Sequence, residues 1–316
     1  MGERAIVVQS EQLAPEATKW LAQRCQVVAA QHDAPAFAAA LREADALVLR
    51  SYTIVDDRLL AQAPRLRVVG RAGAGLDNID VAACRRRGVE VVYTPDANTQ
   101  AVLEYVIALV SDALRPRPAL DGAIDRAEWR RLRTAHVGRQ WSGLTTGVMG
   151  LGRIGRRVAD VVAALGSAIV YNDTAPVAPP ADPKAKKVSI EELFSLSDVI
   201  TVHVDGRATN RAFVGRHLLS RMREDVVLLN TSRGFVVDNV ALREFLQQHP
   251  EAQAHLDVHE PEPFDDAYPL LGLPNASLYP HLASRTRAAL VAMSWVVRDV
   301  VAVLEGRPPR HPAPRE

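Results

Sequence analysis

Cysteine is nearly absent: Cys25 and Cys84 are the only two in 316 residues. Two thiols cannot build a disulfide framework or a four-thiolate zinc site. A single disulfide stays open, but two buried free thiols in a reducing cytoplasm are the simpler expectation. Long apolar runs are missing as well. None approaches the ~18 residues a membrane helix needs, and no apolar signal core follows Met1-Gly2-Glu3-Arg4. The chain also lacks an excess of either charge: 38 Lys and Arg stand against 37 Asp and Glu, so no basic field points to nucleic acid. There is no low-complexity tract, no collagen-like period and no repeat of solenoid length. What remains is 48% hydrophobic and 24% charged, an ordinary soluble globular composition long enough for two domains. The expectation is a cytoplasmic protein that meets neither membrane nor nucleic acid.

Short apolar runs alternate with helical patterns from the start. Ala5–Val8, Gln26–Val28, Ala46–Leu49, Leu66–Gly70 and Val89–Tyr93 read as strands, with helices over Pro15–Cys25 and Phe37–Glu43 between them. Such alternation predicts a parallel sheet covered on both faces. Thr99–Leu114 then reads as a long apolar helix, followed by an arginine-rich polar stretch to Gln140. A second alternation starts at Leu144 and continues through Val170, Val199–Val202, Val226–Leu229 and Ser277–Tyr279. A helix over Thr286–Leu304 and a Pro- and Arg-rich tail, expected to fray, complete the chain. The fold class this predicts is α/β, with two doubly wound parallel-sheet domains.

Gly150-Leu151-Gly152-Arg153-Ile154-Gly155 lies between the strand Thr145–Met149 and a helix beginning at Arg156. In that context the glycines serve a tight turn, a close approach to pyrophosphate and a helix packed on a strand. The helix start supplies free N–H groups and partial positive charge to phosphates. Asp173 ends the next strand, eighteen residues after Gly155. An acid there accepts hydrogen bonds from a ribose and repels a 2′-phosphate, which favours NAD over NADP. This dinucleotide unit is set at 100–283, inside a substrate domain built from 1–99 and 284–316.

Polar residues gather where later strands end: Arg233 in Asn230-Thr231-Ser232-Arg233-Gly234, the acids of Leu256-Asp257-Val258-His259-Glu260-Pro261-Glu262-Pro263, and His281 after Pro280. Open parallel sheets bind ligands at these ends. An arginine clamps a carboxylate, a histidine moves a proton near neutral pH, and a glutamate orients that histidine. Glu262 and Glu260 compete as the partner of His281. His203, His259, the lysines Lys184, Lys186 and Lys187, and the run Arg85-Arg86-Arg87 read as structural or solvent-facing, and no triplet looks like a metal site.

Together with Gly73-Ala74-Gly75-Leu76-Asp77-Asn78-Ile79-Asp80, these motifs resemble the D-isomer-specific 2-hydroxyacid dehydrogenase family across residues 50–285. The resemblance implies a Rossmann NAD-binding domain inserted into a flavodoxin-like substrate domain, usually in a homodimer. It implies that Arg233 binds the substrate carboxylate and polarises its carbonyl, that His281 is the acid/base, and that Glu262 hydrogen-bonds His281. Asp257 would hold the nicotinamide carboxamide and Asp173 the adenosine ribose, with Gly150, Gly152, Arg153, Ile154, Gly155 and Thr231 also at the cofactor. Ala74 and Gly75 would offer backbone N–H groups to the substrate. Leu49-Arg50-Ser51 and Gly70-Arg71-Ala72 are similar to motifs of D-3-phosphoglycerate dehydrogenases, which implies Arg50, Ser51 and Arg71 at a distal phosphate. Two departures leave the substrate open. Arg285 in Leu282-Ala283-Ser284-Arg285-Thr286 adds a cation, and His203-Val204-Asp205-Gly206-Arg207 replaces the usual His-x-Pro-Leu-Thr. Reduction of hydroxypyruvate or glyoxylate, oxidation of a phosphonate analogue, and an NAD(H)-sensing corepressor are the alternatives. The lysine that phosphite oxidisers carry is absent from Ala72-Gly73-Ala74-Gly75. No serine feedback of the kind seen in longer relatives is expected.

Overall fold

The computed structural model describes residues 4–314, which fall into two units. Residues up to Asn98 join those from Ser284 onward in the first, and Thr99–Ala283 form the second. In the first unit five strands, β1 (Ile6–Gln9), β2 (Gln26–Ala29), β3 (Ala46–Leu49), β4 (Val68–Arg71) and β5 (Glu90–Tyr93), pair in the order β2-β1-β3-β4-β5. All pairs are parallel. A parallel ladder forces crossovers, and the crossover helices cover both faces, so Leu47 and Leu49 of β3 and Val68 and Val69 of β4 are fully buried. Local signals set the helix starts. Pro15 opens Pro15–Ala22, and the Asp80 carboxylate accepts the Ala83 N–H to cap Val81–Arg86.

The second unit carries seven strands: β6 (Thr145–Met149), β7 (Ala168–Asn172), β8 (Lys186–Lys187), β9 (Val199–Val202), β10 (Val227–Asn230), β11 (Gln253–Leu256) and β12 (Ala276–Leu278). Their order is β12-β11-β10-β9-β6-β7-β8, all parallel. On one face Val102, Val106 and Val110 of the helix Thr99–Leu114 pack with Val158 and Val162 of Arg153–Ala164. On the other, Leu193 and Phe194 pack with Leu242 and Phe245. The order reverses between β6 and β9 here, and between β1 and β3 in the first unit. These are the points where open α/β sheets leave a crevice at the strand ends.

Several expectations change. The expected helix over Thr286–Leu304 is two, Arg287–Ser294 and Val297–Leu304, parted at Trp295, whose ring meets Trp20 edge-on. The tail does not fray up to residue 314. His311 O accepts the Tyr93 N–H, Ala313 N donates to Val91 O, and the Asp299 carboxylate takes the Arg310 and His311 N–H groups. The tail thereby closes the open edge of β5. The stretch to Gln140 contains a helix, Arg126–Ala135, capped by Asp125. Lys186 and Lys187 form an exposed edge strand rather than a loop, a placement that discourages further pairing. Cys25 and Cys84 are both free and buried. Among the described residues no helix is long and apolar enough to cross a membrane.

Candidate active site

The glycine loop leaves β6 beside the end of β9. Gly150 has φ +89°, and a Cβ there would lie 2.8 Å from His203 O, so both the left-handed turn and the close approach require glycine. A Cβ on Gly155 would lie within 2 Å of Gly150 O, whereas one on Gly152 would meet nothing within 4 Å. The loop is packed from beneath and open at its crest, where the helix Arg153–Ala164 begins, the end of a helix that favours phosphate. Asp173 stands beside it: one carboxylate oxygen accepts the Leu151 N–H at 2.7 Å and the other the Ala175 N–H at 2.8 Å. The acid expected at the ribose therefore also ties down the loop. Thr231, past β10, has a buried hydroxyl with no partner among the described residues. An open crest at a helix N-terminus and an orphaned hydroxyl fit a dinucleotide.

Past β10, the Asn230 side chain accepts the Ser232 N–H and hydroxyl and donates to Arg233 O, and the Arg233 guanidinium donates to Ser232 O at 2.6 Å. A Cβ on Gly234 would sit 2.0 Å from the His259 carbonyl carbon, so the arginine loop can lie against the acidic loop only with glycine there. In that acidic loop Glu262, not Glu260, meets the histidine: His281 Nδ1 is 2.9 Å from Glu262 Oε2. Glu262 Oε1 accepts the His259 N–H at 2.7 Å. Burial raises the Glu262 pKa, but the bonds from His281 and His259 outweigh it and hold the carboxylate below its ordinary range. Glu260 is taken by a two-pronged ion pair with Arg211 at 2.6 and 2.8 Å.

His281 has φ +55°, uncommon for a residue other than glycine. Asp257 over-determines it. The Asp257 carbonyl accepts the His281 N–H, and its fully buried carboxylate accepts the Leu282 and Ala283 N–H groups at 2.7 and 2.9 Å. Burial raises the Asp257 pKa against those two bonds. The carboxylate expected at the carboxamide thus anchors the histidine loop from below. His259 is structural: its ring nitrogens meet the Tyr268 hydroxyl and Tyr279 O. His203 Nε2 meets the Thr201 hydroxyl.

In the first unit a cleft of about 770 Å³ opens at the ends of β1, β2 and β3, lined by Glu11, His32, Arg50, Ser51, Tyr52 and Arg285 among others. Burial lowers the Arg50 pKa and the neighbouring Arg285 charge lowers it further, which places two guanidinium groups on one cavity. Arg71 does not line this cleft. Its guanidinium folds over Gly73 and donates to Ala72 O at 2.8 Å. Of the cations expected at a distal anion, Arg50 and Arg285 line this cleft. The Ser51 N–H is also occupied, by Glu11 at 2.9 Å. Ala74 and Gly75 follow Gly73 on the loop after β4, and among the described residues neither N–H has a hydrogen-bond partner.

Sequence reasoning passed over Glu11, Thr99 and Tyr105. Thr99 Oγ1 is buried without a partner among the described residues. Tyr105 packs edge-on against Tyr279, and burial pushes its phenol well up, with Asp257 adding to the shift. No local signal marks Glu11, whose donors lie 39 to 42 residues on. Among the described residues no group of three His, Cys, Asp or Glu side chains is placed to hold a metal ion.

Residues 107–283 match the family model for the D-isomer specific 2-hydroxyacid dehydrogenase NAD binding domain. The chain is 36% identical over 269 residues to a D-3-phosphoglycerate dehydrogenase of Archaeoglobus fulgidus, across 84% of this chain and 51% of that one. It is 37% identical over 286 residues to a glyoxylate reductase of Aeropyrum pernix, across 87% and 84%. The chain spans about half the length of the phosphoglycerate dehydrogenases it matches. Among solved structures, an NADPH-dependent glyoxylate/hydroxypyruvate reductase of Sinorhizobium meliloti with NADP and malonate superposes with TM-score 0.82 at 28% identity, covering 98% of this chain and 97% of that one. A D-lactate dehydrogenase of Aquifex aeolicus with NAD and lactic acid gives 0.80 at 25%, covering 95% and 96%.

Proposed function

The chain belongs to the D-isomer specific 2-hydroxyacid dehydrogenase family, and from that premise we propose that it is an NAD-dependent oxidoreductase acting at C2 of a small 2-hydroxy or 2-oxo acid that carries a second anionic group. The observation that carries the reading is the His281–Glu262 pair, 2.9 Å apart at the strand ends of a dinucleotide-binding sheet. The glycine loop Gly150–Gly155 and Asp173 would hold NAD, which would supply the hydride donor or acceptor for substrate C2. His281 does the proton work. With Nδ1 engaged by Glu262, Nε2 is the nitrogen that gives its proton to the 2-oxo oxygen in reduction and takes it back in oxidation. Glu262 steadies the positive ring by charge and fixes its orientation. Arg233 clamps the C1 carboxylate and draws electron density from the carbonyl, with the Ala74 and Gly75 N–H groups adding donors. Arg50 and Arg285, with Ser51 beside them, take the distal anion. Asp173 favours NAD over NADP.

An uncovered helix supports a homodimer. The helix Arg126–Ala135 buries none of its own residues, and Trp129 on it is 51% exposed. A monomeric mass by light scattering would remove this part of the reading. A cytoplasmic location belongs to the same proposal. The decisive assay is NADH oxidation at 340 nm with 3-phosphohydroxypyruvate, phosphonopyruvate, hydroxypyruvate and glyoxylate. A kcat/KM at least two orders of magnitude higher for a doubly anionic substrate is expected. Comparable values across the four would make the protein a general 2-oxoacid reductase, the reading nearest the Aeropyrum pernix relative.

A further inference from the structure

The chain reversal of the first unit brings together the loop after β1, which carries Ser10 and Glu11, and the loop after β3, which runs from Arg50 to Thr53. Glu11 Oε1 accepts the N–H groups of Arg50, Tyr52 and Thr53 at 3.0, 3.1 and 3.0 Å and the Thr53 hydroxyl at 3.1 Å. Oε2 accepts the Ser51 N–H at 2.9 Å. Four successive backbone donors thus converge on one carboxylate. Burial raises its pKa, but these donors outweigh burial and hold it below the ordinary range. Two further ties close the arrangement. Ser10 Oγ lies 2.7 Å from Thr53 Oγ1, and Asn78 Nδ2 donates to Arg50 O and Thr53 O at 3.0 and 2.8 Å. Glu11, Arg50, Ser51, Tyr52 and Arg285 all line the same cleft.

Converging N–H groups form a concavity that binds anions, and here the chain fills it with its own side chain. We propose that Glu11 is the positioning residue of this cleft: its carboxylate shapes the Arg50–Thr53 loop, aims Arg50 at the substrate, and reserves the distal-anion site to guanidinium groups by occupying the backbone donors. The inference rests on the reading of Arg50 and Arg285 as ligands of a distal anion. Glu11 touches no reacting atom. It acts through the loop, and its fixed charge keeps the two neighbouring guanidiniums from being an uncompensated cationic pair.

The test uses the full chain and the variants Glu11→Ala and Glu11→Gln. Hydrogen exchange at the amides of residues 50–53 should accelerate at least tenfold in Glu11→Ala and less in Glu11→Gln, where one amide oxygen replaces two carboxylate oxygens. KM for 3-phosphohydroxypyruvate should rise tenfold or more in Glu11→Ala with kcat within threefold, while the Kd of NADH measured by fluorescence stays within twofold. Inorganic phosphate should bind the emptied concavity of Glu11→Ala in calorimetry at concentrations that leave wild type unaffected. Faster exchange with an unchanged KM would reduce Glu11 to a structural residue and overturn the proposal, as would unchanged exchange. If Glu11→Ala does not fold, the same comparisons are read on Glu11→Gln, where a threefold rise in KM is the smallest supporting result. If wild type turns over none of the 2-oxo acids, the proposed function fails. The Glu11 assignment is then decided by exchange and phosphate calorimetry, and absence of either effect overturns it.

Discussion

His281 and Glu262 form a directed pair, Nδ1 to Oε2 at 2.9 Å, and the other Glu262 oxygen is fixed by the His259 N–H at 2.7 Å. A carboxylate held on both sides cannot follow the ring, so the ring conforms to it. Glu262→Gln keeps the size and most of the hydrogen bonding but removes the charge that stabilises the protonated imidazole. Turnover in the direction of oxidation should fall by about 10–10²-fold, with the Kd of NADH unchanged. Turnover equal to wild type would show that the carboxylate does not assist the ring.

Removing the imidazole goes further. His281→Ala should lower kcat by about 10²–10⁴-fold, the range for loss of a positioned general acid/base, with the NADH Kd unchanged because the glycine loop lies on another strand. Rates near wild type would refute the proton-transfer role.

How much of this was legible in sequence follows from where the information lies. Glycine spacing, apolar strands and the residues just past them are local features, so the glycine loop, Asp173, Arg233 and His281 could be read from their neighbours in the chain. The choice between Glu260 and Glu262 rested on a resemblance. The structure separates them because Arg211, 49 residues away, takes Glu260. Glu11 was not legible, since its donors lie 39 to 42 residues on, and an exposed-looking acid in a polar loop carries no sign of a concavity. The tail misread as frayed has the same cause: its partners are the distant edge strand β5 and Asp299, not its own sequence. Arg71 was placed at the anion from its motif, whereas its guanidinium folds back over its own loop.

That last difference makes a discriminating pair of variants. Arg285 lines the cleft with Arg50, and Arg71 does not. Loss of one charge-assisted contact costs about 1.5–3 kcal/mol, so Arg285→Ala should raise KM for 3-phosphohydroxypyruvate by about 10–100-fold and that for hydroxypyruvate by less than threefold. Arg71→Ala should affect both substrates alike. If the two variants exchanged these behaviours, Arg71 would be the distal-anion ligand after all.

Asp173 holds the Leu151 N–H in the structure, besides the ribose contact proposed for it. Asp173→Ala should therefore weaken NADH by about tenfold or more while weakening NADPH less, since the charge that repels a 2′-phosphate goes at the same time. Titration of both cofactors against the variant checks this. A preserved NADH-to-NADPH ratio of Kd values would assign ribose reading to another group.

Acid sensitivity of the second unit should trace in part to His255. This residue is buried in β11, its ring stacked on Tyr279 at 6.3 Å, and burial pushes its pKa down to about 4. In the unfolded chain a histidine titrates near ~6.5, so between these values the unfolded state binds more protons than the folded one. Stability must then rise with pH through that window and fall on acidification, by roughly 3 kcal/mol once the pH has dropped below both values. Burial pushes His203 in the same direction, and Asp257, whose pKa burial raises, works in the opposite one. Glu11 and Glu262, held below the ordinary carboxylate range, keep their charge until lower pH and lose their contribution only there. The share of His255 is isolated by difference: urea denaturation of wild type and His255→Phe at pH 7 and pH 5 should show a smaller loss of stability on acidification in the variant. Parallel losses in the two proteins would mean that the buried ring is not the group taking up the proton.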